Sequence, residues 1–100
     1  FDTFSNEMAE ITAQAFIKAN NTEKRTFILL FKKMWESNLQ SPDIIKDDCI
    51  LGLKKLVLLL EENLRALEGA PRTYSIIHTE KFIKAIHDLI DTQTTPDSVQ

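Results

Sequence analysis

Apolar residues in this chain recur at three- and four-residue spacing almost from end to end, and the glycines are only Gly52 and Gly69. That is the period of an α-helix and not the two-residue alternation of a strand. A first helix is expected near 5–19, with Met8, Ile11, Ala15 and Ala19 on one face and Phe4 packing over its start. Asn20-Asn21 breaks the pattern, because Asn competes for backbone hydrogen bonds and tolerates left-handed conformations. Thr22 can cap a second helix near 22–37, with Glu23 suited to its positive first turn. This helix carries Phe27-Ile28-Leu29-Leu30-Phe31 and then Met34 and Trp35. Five consecutive apolar residues go almost around a helix, so this one is expected to be the core helix, packed on both sides.

The joint at Ser37–Gln40 leads to Ser41-Pro42-Asp43, a strong start signal. Ser accepts from orphan amides, and Pro at the first helical position has no amide to lose. A third helix follows near 42–62 with Ile45, Cys49, Leu53, Leu56, Val57 and Leu60 as its stripe. Gly52 costs roughly 1 kcal/mol against Ala in a helix interior and is read as a place of close packing. The stripe continues through Leu64 and Leu67, so the helix ends either near Asn63 or at Glu68, before Gly69 and Pro71. Pro71 opens a fourth helix near 71–91, with Ile76, Ile83, Ile86 and Ile90 on one side, widened by Phe82, Ala85 and Leu89. Residues 92–100 are polar apart from one Val and are expected to be a disordered tail.

The fold class is therefore all-α. Two helical hairpins, 1–37 and 41–91, form a single domain over 1–91, stacked as a HEAT-like repeat or as a small bundle. The expected core is Phe27, Leu30, Phe31, Leu53, Leu56, Leu60, Ile83 and Ile86.

Composition narrows the function. One hundred residues with 43% hydrophobic and 27% charged content make one ordinary small domain. The net charge is −3, and Lys32-Lys33, Lys46, Lys54-Lys55, Arg65, Arg72, Lys81 and Lys84 are interspersed with acids. Direct nucleic-acid binding is not expected from a surface of mixed charge. The apolar runs Phe27–Phe31 and Leu56–Leu60 are five residues each, too short to span a membrane. The lone Cys49 has no partner for an internal disulfide and is read as a small core residue, which suits a reducing, intracellular, cytoplasmic setting. The chain opens on Phe1 with no signal peptide and is expected to be a fragment of a longer protein.

Candidate chemistry is sparse, and no enzymatic activity, cofactor or metal is expected. His78 and His87 are nine residues apart, on opposite sides of a helix, and cannot share a metal. Ser75 and Ser98 have no activating context. Asp47-Asp48 and Glu61-Glu62 read as solvated helix faces, since general acid–base work needs a pocket that shifts their pKa. Phe31 and Trp35, one turn apart, read as core, with a partly exposed anchor as the sharper alternative. The acidic corner of Glu61, Glu62 and Glu68 stands out, because carboxylates near a helix C-terminus oppose the helix dipole. These residues are the candidate partner-binding site.

The residues Ala15-Phe16, Thr22-Glu23-Lys24-Arg25 and Leu30-Phe31-Lys32-Lys33-Met34 begin a recognisable series. It continues through Ser41 to Gly52-Leu53, Leu60-Glu61-Glu62, Ala70-Pro71 and Lys81-Phe82-Ile83-Lys84-Ala85-Ile86. Over about residues 13–88 this order resembles the second part of the MA-three helical domain of the translation-initiation scaffold and programmed-cell-death-four family. The resemblance implies a HEAT-like stack without catalysis that binds a DEAD-box RNA helicase. Acidic residues before the Ala-Pro pair take part in that contact, here Glu61 and Glu62 with Glu68. The competing expectation is another helical adaptor, of the VHS, armadillo or polymerase-tail-binding kind, holding a short peptide in an apolar or basic groove between helices.

Overall fold

The computed structural model describes residues 4–41 and 46–94. These form four helices, α1 (Asn6–Lys18), α2 (Asn21–Asn38), α3 (Lys46–Ala66) and α4 (Tyr74–Thr94), with no strand among the described residues. The protein is a small all-α bundle, and no described helix is long and apolar enough to cross a membrane.

The helix starts follow local hydrogen-bond chemistry. Ser5 caps α1, its Oγ accepting from the Met8 amide at 3.2 Å. At α2 the cap is Asn20 rather than Thr22. The Asn20 side chain accepts from the Glu23 amide at 2.8 Å, while the Glu23 carboxylate accepts from the Asn20 amide at 2.9 Å. This reciprocal capping box satisfies two orphan donors, which a lone Thr two residues further on cannot do. The proposed start of α3 at Pro42–Ile45 lies outside the described residues. The end of α3 falls at Ala66, between the two expected limits, and Gly69 takes up a φ of +89° in the turn beyond. Pro71 stays outside α4. Thr73 starts that helix, its Oγ1 accepting from the Ile76 amide at 3.3 Å and its carbonyl from the Ile77 amide at 3.1 Å. At its other end α4 continues to Thr94 instead of giving way to a tail at 92; within it the Thr92 hydroxyl donates to the Asp88 carbonyl at 2.8 Å, which satisfies that polar group inside the helix. The remainder of the expected tail, 95–100, lies outside the described residues.

The pairing departs from two sequential hairpins. α3 packs on α4 as expected, but α1 packs on α3 and α2 on α4. The joint explains it. Ala19 (φ −69°, ψ 149°) and Asn20 (φ −76°, ψ 175°) are both extended, so the chain steps away from α1 before α2 begins and does not fold back along it. The two helices meet through side chains instead. Phe16 of α1 lies 5.5 Å from Phe27 of α2, and Phe4, just ahead of α1, lies 6.2 Å from Phe31 and 5.3 Å from Trp35.

Burial corrects two faces. In α1 the buried residues are Ala9, Ala13 and Phe16, whereas Ile11 is 68% exposed and Ala15 is exposed as well. The aliphatic stripe was the wrong guide: Phe16, the largest apolar side chain of the helix, turns inward and rotates the contact face towards itself. In α2 only Phe31, Trp35 and, unexpectedly, Lys24 are buried, while Leu30 is 60% exposed and Phe27 and Ile28 are half-buried. The helix is packed on one side, because its only extensive helix partner is α4. Ile83 is also half-buried, whereas Leu53, Leu56, Leu60 and Ile86 are fully buried as expected.

Gly52 is a close-packing site. A Cβ there would stand 1.8 Å from the Phe4 carbonyl oxygen, so the approaching backbone is the lead-in to α1. Gly52→Ala is expected to destabilise the fold by more than the change gains in helix propensity, about 1 kcal/mol. Leu56→Ala should cost roughly 2–5 kcal/mol, as for a buried Leu truncation, and Leu30→Ala under about 0.5 kcal/mol. Denaturant melts of the three variants check all of this; equal losses at Leu56 and Leu30 would contradict the one-sided packing of α2.

Candidate functional site

The bundle surface is divided by open grooves between helix pairs, and the helix register sorts the acidic corner among them. Glu61 faces the α3/α4 groove, beside Lys54, Val57, Leu58, His87, Ile90 and Asp91. Glu62, one residue on and about 100° around the helix, faces the α1/α3 groove with Glu10, Ile11 and Leu59. Glu68 is exposed in the turn after α3. The three candidate residues thus lie near one end of α3 but do not line a common groove.

The third groove, between α2 and α4, has a different character. Its walls carry Arg25 and Lys32 from α2 and Lys81 and Lys84 from α4, with Asp88 as the acid, over a floor that includes Ile28, Leu29 and Ala85. All of these charged side chains are exposed. Lys84 meets Asp88 one helical turn away at 3.4 Å, a pairing that solvent makes weak. Basic residues scattered among acids along the chain are gathered here by helical spacing: 25 with 28, 29 and 32 on one helix, 78 with 81, 85 and 88 on the other. That spacing was readable in advance, but the facing of α2 against α4, which brings the two rows together, was not.

His78 sits in this groove wall, 8% exposed, and its Nδ1 has no hydrogen-bond partner among the described residues. Burial, followed by the positive charges of Lys81, Arg25 and Lys24, holds its pKa below the ordinary imidazole value. His87 faces the α3/α4 groove, so the two histidines are separated as their spacing requires. Lys24, behind the same groove, is 2% exposed and donates its ammonium hydrogens to the Ile17 carbonyl at 3.0 Å and the Ala19 carbonyl at 2.6 Å. Cys49 is fully buried, and desolvation first of all raises its thiol pKa, which keeps it in the unreactive thiol form. Phe31 and Trp35 are both buried core residues.

Comparison of the chain with known protein families, with curated proteins and with solved structures finds no match in any of the three.

The depressed pKa of His78 has a signed consequence. Between its unfolded value of about 6.5 and its lower folded value, the unfolded chain binds the proton more readily. The neutral imidazole's contribution is complete above about pH 6.5, is lost as pH falls, and changes no further once both states are protonated. Wild type should therefore lose more thermal stability between pH 7.5 and 5 than His78→Gln. Melting curves of both proteins across that range check it, and parallel pH profiles would show that His78 does not titrate differently on folding.

Proposed function

We propose that this chain is a non-catalytic protein-interaction module. The supporting observation is α2, the helix that supplies Phe31 and Trp35 to the core while leaving Leu29 53% and Leu30 60% exposed on its outside. Adjacent exposed leucines on a rigid helix, with a groove running alongside them, suit a protein partner better than open solvent. The exposed Leu51 and Leu58 of α3 extend the same character to a second helix. The reading carries an intracellular, cytoplasmic setting with it, where a single buried thiol stays reduced.

Two modes of binding follow from the sequence. In the first, Glu61, Glu62 and Glu68 contact a basic surface of a DEAD-box RNA helicase in translation initiation or its control, as the MA-three resemblance implies. In the second, the chain is a helical adaptor that takes a short peptide in an inter-helix groove. The placement of Glu61 and Glu62 on opposite flanks of α3 favours the second mode, since a single partner surface would have to straddle the helix to reach both.

The first mode has a direct test. Glu61→Lys with Glu62→Lys should leave the fold intact, because exposed substitutions usually shift stability by under about 0.5 kcal/mol. If the corner steers the helicase, the double reversal slows association and raises Kd by on the order of tenfold, and added salt weakens the wild-type complex. Binding titrations of both proteins at two salt concentrations read this out. Equal affinities with no salt dependence would take the acidic corner out of the mechanism.

A further inference from the structure

The inter-helix grooves differ in the charge of their linings. The α1/α3 groove is lined by Glu10 and Glu62 with no cation, and the α3/α4 groove sets Lys54 against Glu61 and Asp91. The α2/α4 groove holds Arg25, Lys32, Lys81 and Lys84 against Asp88, and a smaller hollow that continues between the same helices from Lys32, Ala85 and Asp88 adds Glu36, so cations still outnumber acids four to two on a chain whose net charge is −3. Neither Arg25, Lys32 nor Lys81 is held in an ion pair among the described residues. Resting on the reading of the chain as a protein-interaction module, we propose that the α2/α4 groove is the docking site for an acidic amphipathic helix of a partner protein.

Three features fit that occupant. The lining runs from Thr22 to Lys32 on α2 and from His78 to Asp88 on α4, eleven residues on each wall, whose rise along the axis is about 15 Å or close to three helical turns. The volume of the groove, about 680 Å³, is open along its length rather than enclosed, as a helix lying in it requires. Its floor of Ile28, half-exposed Leu29 and Ala85 gives a partner's leucines or isoleucines somewhere to go, while the four cations stand along the rim where carboxylates one turn apart on that partner would reach them. His78 adds a specific contact. Its Nδ1 lies in the groove wall with no hydrogen-bond partner among the described residues, and as an N–H donor it offers a partner's carboxylate a hydrogen bond. A carboxylate there would also favour the charged imidazole that the surrounding cations now oppose.

The same groove suits nucleic acid less well. Single strands are held by exposed aromatic planes as well as by cations. The aromatic side chains flanking this groove, Phe31, Trp35 and Phe82, are buried in the core, and His78 is the one ring in the lining.

The test uses the full 100-residue chain, labelled with nitrogen-15. The probes are a synthetic helix of about four turns with leucines on one face and glutamates on the flanks, the same peptide with every Glu replaced by Gln, and an oligouridine of similar length. Expected are amide shifts centred on Arg25, Ile28, His78, Lys81 and Ala85 with the Glu peptide, and binding at least tenfold weaker with the Gln peptide. Arg25→Glu with Lys81→Glu, both on exposed positions, should lose the Glu peptide by a similar factor with unchanged helical circular dichroism. His78→Gln should lose less, and in the wild type the His78 ring signals should shift with the Glu peptide but not with the Gln peptide. Three results would each overturn the assignment: equal binding of the Glu and Gln peptides, affinity that survives the double reversal, or tighter binding of oligouridine in this groove. Binding of a protein partner that persists in the double-reversal variant and shifts Leu58 or Glu61 instead would remove this groove while leaving the interaction module standing. If neither the peptide nor the helicase binds at any surface, both readings fall.

Discussion

Phe82 is the side chain on which the arrangement of this bundle turns. It is fully buried in α4 and lies 4.5 Å from Phe16 of α1, 5.6 Å from Phe27 and 5.1 Å from Phe31 of α2. The two contacts with α2 are edge-on, the geometry that the ring quadrupole favours. Because α1 rests on α3 and α2 rests on α4, the first two helices have no shared helix-to-helix interface to align them. The aromatic side chains supply that alignment, with Phe82 as their common partner. Phe4 closes the other end of the cluster against Phe31 and Trp35, and the missing side chain at Gly52 is what lets its backbone approach α3.

Lys24 secures the joint that this cluster leaves open. The chain between α1 and α2 is extended and has no turn of its own to hold it. The ammonium group of Lys24 reaches back to two carbonyls at the end of α1 and lies 5.2 Å from the centre of the Phe16 ring. A cation at a helix C-terminus meets the negative end of the dipole, and its hydrogen bonds offset the cost of burial. Desolvation still dominates and keeps the Lys24 pKa below the ordinary lysine value, with Glu23 pulling it partly back. A charge spent inside in this way also contributes to the positive field felt by His78 from behind the α2/α4 groove. The structural staple and the basic groove are thus parts of one electrostatic arrangement.

The helices themselves were legible because their signals are local. Periodicity and the Gly69 turn act over one to four residues, and the α3 stripe of Cys49, Leu53, Leu56, Val57 and Leu60 is buried as its spacing indicates, whereas the α2 cap falls on Asn20, two residues before the expected Thr22. The exceptions have physical causes. Leu30 is as apolar as Leu56, but α2 meets only one helix over its length, so periodicity had no means of telling which part of an all-round apolar surface would be covered. Lys24 has the composition of a surface residue, and nothing in its neighbours announces that two carbonyls of the preceding helix await it.

The chain by itself determined four helices and the presence of enough apolar surface to bury, since these depend on backbone hydrogen bonding and on side-chain spacing within one element. Which helix lies against which was decided only in three dimensions, by extended torsions at Ala19 and Asn20 and by the fit of aromatic side chains from three helices. The same holds for the charged surface. Glu61 and Glu62 are neighbours in sequence and are parted by the pitch of α3, whereas Arg25 and Lys81 are far apart in sequence and are brought to one groove by the packing of α2 on α4. Electrostatic fields add over space and not along the backbone, so the sign of a surface can be read only once the helices are in place.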